Sequence, residues 1–301
     1  MSASLRRSTA LALGAASGLV LGACDAPAPR PTAQRSSSAW YAGGPTCEGR
    51  PAFRVREYRP GLFVLRQPAC TNFEKPFLYL VVGGDRALLL DTGAGGLAVA
   101  APVDSILGAW RATHGGAPRA LVVAHSHGHE DHTAGDAEFR DRRGVTLVAP
   151  DTAAVRAFFG FRAWPTDPVT LDLGGRVLDV LAIPGHEPAS LAVHDRASGV
   201  LLTGDTFYPG RLYVRDTAAF AASTARLVAF TASRPVSAIL GTHIEQTRTP
   251  FTDYPMGTLD QPDEDQLELT RAELVTLDSA VRTMRGRFAR VRLPRFTIWP
   301  L

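Results

Sequence analysis

The stretch AHSHGHEDHTAGD, residues 124–136, limits the possible folds of this chain more than any other segment. It holds four of the chain's eight histidines and directly follows the short run RALVV, residues 119–123. A short apolar run of this kind predicts a buried strand. A strand that ends in several histidines places them on the rim of a sheet. The segment therefore predicts a functional site at a sheet edge.

Four other apolar runs also end in a histidine or an aspartate. They are LLLD at Asp91, AIPGH at His186, LLTGD at Asp205 and ILGTH at His243. Each of these residues is expected to lie at the edge of a sheet where its strand ends. Several such residues at one edge predict a shared site.

Two registers of metal ligands compete within residues 124–136. One begins at His125 and reads H-x-H-x-H, and the other begins at His127 and reads H-x-H-x-D-H. Side chains two residues apart in an extended segment point to the same side, so His127 and His129 are expected to bind the same metal. Asp131 and His132 follow where the chain turns into a helix and are expected to reach a second metal. His125 is expected to lie outside the ligand set.

Imidazole and carboxylate groups are the ligands expected for zinc and its neighbours. The later strand ends complete two sets. The first metal is expected to bind His127, His129 and His186. The second is expected to bind Asp131, His132 and His243, with Asp205 bridging the two. Such metals lie about 3.5–4 Å apart and share a hydroxide. Zinc is the expected metal, and nitrogen and oxygen ligands also suit manganese and iron.

The order H-x-H-x-D-H, then G-H, G-D and T-H, resembles the metallo-β-lactamase superfamily from about Phe53 to His243. The resemblance implies an α/β fold: an αβ/βα sandwich of two mixed β-sheets flanked by helices, with the metals at one edge. It implies the same seven ligands. It also implies that Asp91 orients a ligand and that Asp131 orients the nucleophile and moves a proton.

The resemblance implies a dinuclear metal-dependent hydrolase of a small ester, thioester or lactone that uses a metal-bridging hydroxide. Members that cleave β-lactams typically have Cys or Ser where this chain has Asp205, so the glyoxalase II, lactonase and phosphodiesterase branches are favoured. Tyr208 matches a lactonase tyrosine that stabilises the substrate oxyanion, although simple packing is equally compatible with TFYPGRLY. The short tail after His243 weakens the case for a glutathione thioester.

The sequence is compatible with three alternatives. One is a β-lactamase-like or phosphodiester hydrolase. Another is an iron-dependent sulfur dioxygenase of the same superfamily, which would not need the complete second metal site. The last is a membrane-tethered binding protein that keeps its metals for structure.

The N-terminus predicts export. Residues 1–23 combine a short basic start with an apolar core and read as a signal peptide of the lipoprotein type. The end LGAC resembles a lipobox, which implies lipid on Cys24 and a membrane anchor. The expected location is the periplasmic face of a bacterial membrane, with a secreted or soluble periplasmic protein as the alternative.

Residues 24–50 are rich in Pro, Ala, Ser and Gly and predict a flexible tether. Residues 51–301 are expected to form the catalytic domain. Apart from Cys24, the chain has two cysteines, Cys47 and Cys70. An oxidising compartment permits a disulfide between them, and two free thiols are the alternative.

The charge balance argues against nucleic acid as a partner. The formal net charge is +3, and it falls to +1 when Arg6 and Arg7 are removed with residues 1–23, which contain no acidic residue. A small molecule is the expected substrate, and the sequence leaves the oligomeric state open.

The pattern of elements predicts β-hairpins at the front of the domain, then strands mixed with helices, arranged as two packed sheets with helices outside. A last helix is expected over 264–285, and FARVRL is expected to close the chain as a strand. The aromatic segment FFGFRAWP, residues 158–165, is expected either to line an apolar acyl pocket or to pack a helix onto the sandwich.

Overall fold

The structure is a computed structural model and describes residues 40–49, 53–114 and 120–301. The predicted signal peptide, Cys24 and the tether up to residue 39 lie outside the described residues. In the described part of the chain, none of the helices combines the length and the apolar character needed to cross a membrane.

The first sheet contains six strands in chain order. Its first four strands form antiparallel pairs, whereas β4, β5 and β6 run parallel. The strands are β1 (Arg54–Arg59), β2 (Leu62–Arg66), β3 (Phe77–Val82), β4 (Arg86–Leu90), β5 (Ala120–Ala124) and β6 (Val145–Leu147). Helix α1 (Ala100–His114) lies between β4 and β5, and the single turn α2 (Glu130–Thr133) follows β5.

The second sheet also has six strands, in the order β13-β12-β10-β9-β8-β7. They are β7 (Val169–Asp172), β8 (Val177–Ala182), β9 (Leu191–Asp195), β10 (Val200–Leu202), β12 (Ala238–Leu240) and β13 (Glu268–Leu269). Its only parallel pair is β10 with β12, so the ends of these two strands reach the same edge.

A third, three-stranded sheet joins β11 (Arg211–Val214), β15 (Thr297–Pro300) and β14 (Val291–Arg292). The remaining helices are α3 (Thr152–Phe159), which lies between β6 and β7, α4 (Thr217–Thr231), which precedes β12, and α5 (Arg271–Thr283), which follows β13.

The core has three layers of apolar side chains. Alternate residues of the two large sheets face each other, for example Val64 and Tyr79 against Val180 and Val193. The opposite face of the first sheet packs on α1, and that of the second sheet packs on α4 and α5. This arrangement confirms the predicted αβ/βα sandwich of two mixed sheets.

Two predicted elements near the C-terminus differ from the structure. The last helix begins at Arg271, because the Thr270 side chain accepts a hydrogen bond from the Glu273 N–H and the Glu273 side chain accepts one from the Thr270 N–H. This capping box fixes the helix start, and the residues just before it pair with β12 as β13. The run FARVRL contributes only the two-residue β14, and the closing strand is β15, which lies parallel to β11.

The aromatic segment of residues 158–165 packs into the core. Phe159 and Phe161 are buried in the layer between the sheets, and Phe158 and Trp164 pack against the same cluster. The packing alternative is therefore the correct one, and the segment belongs to the apolar core.

Residues 40–44 pack on the domain although they fall within the predicted tether, whereas residues 45–49 are exposed. Trp40 is buried and makes an edge-to-face contact with Phe77, with ring centroids 5.5 Å apart. The predicted disulfide joins Cys47 to Cys70, whose Cα atoms are 5.4 Å apart. The packed chain thus extends N-terminal to residue 51, because a large aromatic side chain and a covalent bond both hold this stretch.

We expect the Cys70→Ser substitution to lower the free energy of unfolding by about 2–4 kcal/mol, because the disulfide closes a loop between residues 23 apart. Urea denaturation under oxidising conditions measures this loss. Cys47→Ser should cost the same amount, and the double variant should cost no more than either. A double variant that loses the sum of the two single effects would contradict a shared bond.

Candidate metal centre

The histidine-rich segment lies where β5 leaves the first sheet. His127 is buried, and His129 is the last extended residue, with φ −73° and ψ 155°, at the N-cap of α2. Asp131 and His132 then lie within the first turn of α2. The change from extended chain to helix directs the two pairs of side chains differently, as predicted.

The first cluster joins three histidines and one aspartate. The His129 Nδ1 atom is 2.9 Å from His127 Nε2 and 3.1 Å from His186 Nε2. The Asp205 Oδ2 atom is 3.6 Å from His186 Nε2 and 3.8 Å from His127 Nε2. All four ligand atoms lie within 4.8 Å of one another.

The second cluster uses the other oxygen of Asp205. Its Oδ1 atom is 3.3 Å from His243 Nε2 and 3.6 Å from His132 Nε2. The Asp131 Oδ2 atom is 3.3 Å and 3.2 Å from the same two nitrogens. The structure therefore brings all seven predicted ligands together, with one carboxylate oxygen of Asp205 in each cluster.

The donor set fits two divalent cations. Each cluster offers imidazole nitrogens and carboxylate oxygens, which are the ligands of zinc, manganese and iron sites. His132 Nε2 is buried and makes no well-aligned hydrogen bond within the part of the chain that the structure describes, although Asp131 Oδ2 lies 3.2 Å away. A buried imidazole nitrogen that lacks a well-aligned hydrogen bond and lies beside carboxylate oxygens is suited to bind a cation.

Asp91 contacts the ring nitrogen of His132 that faces away from the second cluster. Its Oδ2 atom is 3.0 Å from His132 Nδ1, and its two oxygens accept hydrogen bonds from the N–H and hydroxyl of Ser126 at 2.6 Å and 2.9 Å. Asp91 is fully buried and has a left-handed backbone, with φ 72°. A carboxylate on the far nitrogen of a ligand histidine fixes the ring, which agrees with the predicted position of Asp91.

Main-chain carbonyl groups orient two further histidines. His186 Nδ1 donates to the Tyr213 carbonyl oxygen at 2.8 Å, and His243 Nδ1 donates to the Glu74 carbonyl oxygen at 3.0 Å. Each contact places the proton on Nδ1 and leaves Nε2 free to face the cluster. Sequence reasoning missed Tyr213 and Glu74, because a backbone carbonyl leaves no signal in residue type.

The charges of the site are strongly coupled. Burial alone would raise the pKa of Asp205, but His243, His132 and His127 hold it well below its usual range, so the carboxyl is ionised. Burial and the neighbouring His132 push the pKa of His127 well below its ordinary value, so its ring stays neutral. Burial opposes a charge on His243 too, yet Asp205 and Asp131 raise its pKa well above normal. Protons and cations therefore compete for its nitrogen.

His125 lies outside both clusters, as expected. Its Nε2 atom is 2.8 Å from Asp136 Oδ1, and its ring is buried beneath the site. The register that begins at His127 is thus the one that the geometry supports.

Tyr208 borders the second cluster, with its ring centroid 5.6 Å from that of His243. Its hydroxyl donates to the Arg211 carbonyl oxygen and lies 3.2 Å from Glu245 Oε2. Burial, and then Glu245, raises its pKa well above 10. The hydroxyl is held by these two contacts, and its predicted role towards an oxyanion stays a prediction.

The clusters line an open cavity at the edge where β10 and β12 end. Glu74, Tyr213 and Glu245 form part of its wall. Arg215 also lines it and is exposed. The lining is polar, and it leaves room for a small molecule beside Asp205.

Comparison with known proteins places this site in a family. The sequence model of the metallo-beta-lactamase superfamily matches residues 73–282, more than half of the chain. The acyl-coenzyme A thioesterase MBLAC2 of Gallus gallus is 26% identical over 50% of this chain and 65% of its own length. The hydroxyacylglutathione hydrolase of Dechloromonas aromatica is 31% identical over 50% of this chain and 52% of its own length. The chain thus spans about half to two thirds of these relatives.

Solved structures show the same fold. A metallo-beta-lactamase from Pontibacter korlensis superposes with a TM-score of 0.51 at 16% identity, over 76% of this chain and 99% of that one. The DIM-1 metallo-beta-lactamase superposes with a TM-score of 0.52 at 16% identity, over 77% and 98%. At this identity the likeness concerns the fold alone.

We expect Asp205→Ala to lose metal from both clusters, because its two oxygens face one cluster each, whereas His129→Ala should lose metal from the first cluster only. Metal content per chain after reconstitution with zinc, measured by mass spectrometry, checks both. His125→Ala is the matched control and should keep the full content. Loss of metal in His125→Ala as complete as in His129→Ala would disprove the register.

Proposed function

The chain belongs to the metallo-beta-lactamase superfamily, and from that premise we propose that it is a dinuclear metal-dependent hydrolase of thioesters. The observation that carries the proposal is Asp205, which places one oxygen in each of two complete ligand clusters. The curated relatives support the substrate class: one is named as an acyl-coenzyme A thioesterase, and hydroxyacylglutathione, in the name of the other, is itself a thioester. Oxoesters and lactones are the neighbouring substrate classes.

Two bound divalent cations would supply an activated water near neutral pH and polarise the attacked carbonyl oxygen. Asp205 holds the two ligand sets in register, and Thr242 donates a hydrogen bond to its Oδ1 atom. Burial would raise the pKa of Asp131, but His132 and His243 hold it far below its usual range. The ionised Asp131 is therefore better suited to accept a hydrogen bond from the attacking water than to store its proton.

Other chemistries of the superfamily fit the site less well. Members that cleave β-lactams typically carry Cys or Ser at the position of Asp205, and the structural likeness to them concerns the fold only. A sulfur dioxygenase that uses one iron has no need for the complete second cluster of Asp131, His132 and His243. The bridging carboxylate and the complete second cluster both favour two-metal hydrolysis.

We expect the zinc-loaded full chain to hydrolyse acyl thioesters with a higher kcat/KM than lactones, oxoesters, β-lactams or phosphodiesters. Removal of the metal should abolish this activity, because the water then keeps its ordinary pKa. A steady-state assay over this substrate panel, with the metal-free chain as control, measures the ranking. Full metal content without turnover of any ester class would leave a structural role for the metals and disprove the proposal.

We further propose that the chain is exported and held by lipid on Cys24 at the periplasmic face of a bacterial membrane. The support is the sequence of residues 1–24. The disulfide between Cys47 and Cys70 agrees with an oxidising compartment, because such bonds rarely persist in the cytosol.

We expect the full chain, expressed in bacteria, to incorporate radiolabelled palmitate, and Cys24→Ser to remove the label and release the protein from the membrane fraction. Cys70→Ser is the matched control and should stay labelled. An unlabelled chain in the soluble periplasmic fraction would support the secreted alternative instead.

A further inference from the structure

A second cavity adjoins the metal centre and shares a wall with it. Glu74, Tyr213 and Glu245 line both cavities. The Glu74 carbonyl oxygen also holds His243, so the shared wall lies directly against the second cluster. A substrate whose reacting carbonyl lies at Asp205 is therefore placed to extend into the second cavity.

Two polar side chains of the second cavity lie side by side. Lys75 Nζ and Gln261 Nε2 both donate to the Thr258 carbonyl oxygen, at 3.2 Å each. The Gln261 side chain is buried, with the residue only 5% exposed, and its Oε1 atom has no hydrogen-bond partner among the described residues. Buried amide oxygens in native proteins almost always accept a hydrogen bond. This oxygen is thus an acceptor that is free to bind a donor from outside the protein.

Lys75 supplies the complementary donor. Its ammonium has three protons, and the hydrogen bonds found in the described chain, to the carbonyl oxygens of Phe73 and Thr258, use two of them. Burial, together with the nearby Arg66, lowers the pKa of Lys75 to about 8, so most of the amine is still protonated at neutral pH. The third proton is available to a carbonyl oxygen.

The rim of the second cavity is apolar. Phe73 is 41% exposed and Met256 is 68% exposed, and both line the cavity together with Ile244. Large apolar side chains exposed beside a cavity provide contact area for methylene groups of a ligand.

The charges of the wall disfavour an anionic ligand. Arg211 is already paired with Glu245 and Asp253, at 2.8 Å and 2.5 Å. Glu74 adds a carboxyl group to this wall. A carboxylate or phosphate placed here would leave Gln261 Oε1 without a donor, whereas a neutral group with one N–H and one C=O matches both Gln261 and Lys75.

We propose that the second cavity binds the thiol arm of the thioester, and that this arm carries a secondary amide flanked by methylene groups. The amide N–H donates to Gln261 Oε1, the amide oxygen accepts from Lys75 Nζ, and the methylene groups pack on Phe73 and Met256. The inference rests on the proposed thioester function and adds the chemistry of the leaving group.

The test compares two thiols of equal chain length, N-acetylcysteamine, which contains the amide, and pentanethiol, which does not. The zinc-loaded full chain is assayed with the acetyl thioester of each thiol. Binding of the corresponding methyl thioethers, which are not hydrolysed, is measured by calorimetry. The variant Gln261→Leu removes the acceptor, and Gln266→Leu, at an exposed position of the same loop, is the matched control.

We expect the chain to bind the amide thioether about tenfold more tightly than the alkyl thioether, the effect of one or two hydrogen bonds in a buried site. Gln261→Leu should abolish this preference through Kd and KM while kcat changes little, and Gln266→Leu should keep it. Met256→Ala, at an exposed rim position that folding does not depend on, should weaken both thioethers by about threefold, because it removes apolar contact.

Equal affinity for the two thioethers, or a preference that survives Gln261→Leu, would overturn the inference. An unchanged affinity for both thioethers in Met256→Ala would do the same, even if Gln261→Leu failed to fold. If no thioester is hydrolysed but the amide preference depends on Gln261, the cavity assignment stands and the proposed reaction fails. If both thioesters are hydrolysed without any preference for the amide, the proposed reaction stands and the cavity assignment fails.

Discussion

One buried carboxylate holds the site of this protein together. Asp205 lies where β10 leaves the second sheet, almost completely buried, and its two oxygens face two different sets of ligands. A buried negative charge is stable only when compensated. Four histidines surround it: His127 and His132 come from the first sheet, and His186 and His243 come from the second. Burial opposes a charge on His243, but Asp205 and Asp131 raise its pKa, so this ring supplies positive charge. The site therefore forms only when the two sheets pack against each other.

Parallel strand pairs bring the loops that carry the site residues together. β4 and β5 run parallel in one sheet, and β10 and β12 run parallel in the other, so the loops that follow each pair emerge at a common edge. The residue after β4 is Asp91, and the contact of Asp91 with His132 ties two of these loops together. Carbonyl groups of Glu74 and Tyr213 then orient His243 and His186 from outside the ligand set.

A second cavity adjoins the two clusters. Its polar pair, Lys75 and Gln261, comes from the β2–β3 loop and from the long loop after His243, and the two side chains meet on a single carbonyl oxygen. The β2–β3 loop is also the one that the disulfide attaches to residues 40–49. The disulfide and the wall of the second cavity are in this way connected through one loop.

The sequence alone predicted the register that begins at His127 and the set of seven side chains that cluster in the structure, because the residue types at the strand ends are visible in the sequence. The sandwich fold was predicted through the family resemblance that these motifs carry. It misjudged the start of the last helix, where the Thr270–Glu273 capping box decides, and the closing strand, where pairing with β11 decides. Only the tertiary structure showed that FFGFRAWP packs in the core and that Trp40 belongs to the domain. It alone showed the carbonyl contacts that orient His186 and His243 and the meeting of Lys75 with Gln261. These features join residues that are distant in sequence. The contacts are made through backbone atoms or buried surfaces, and such contacts leave no pattern in the order of residue types.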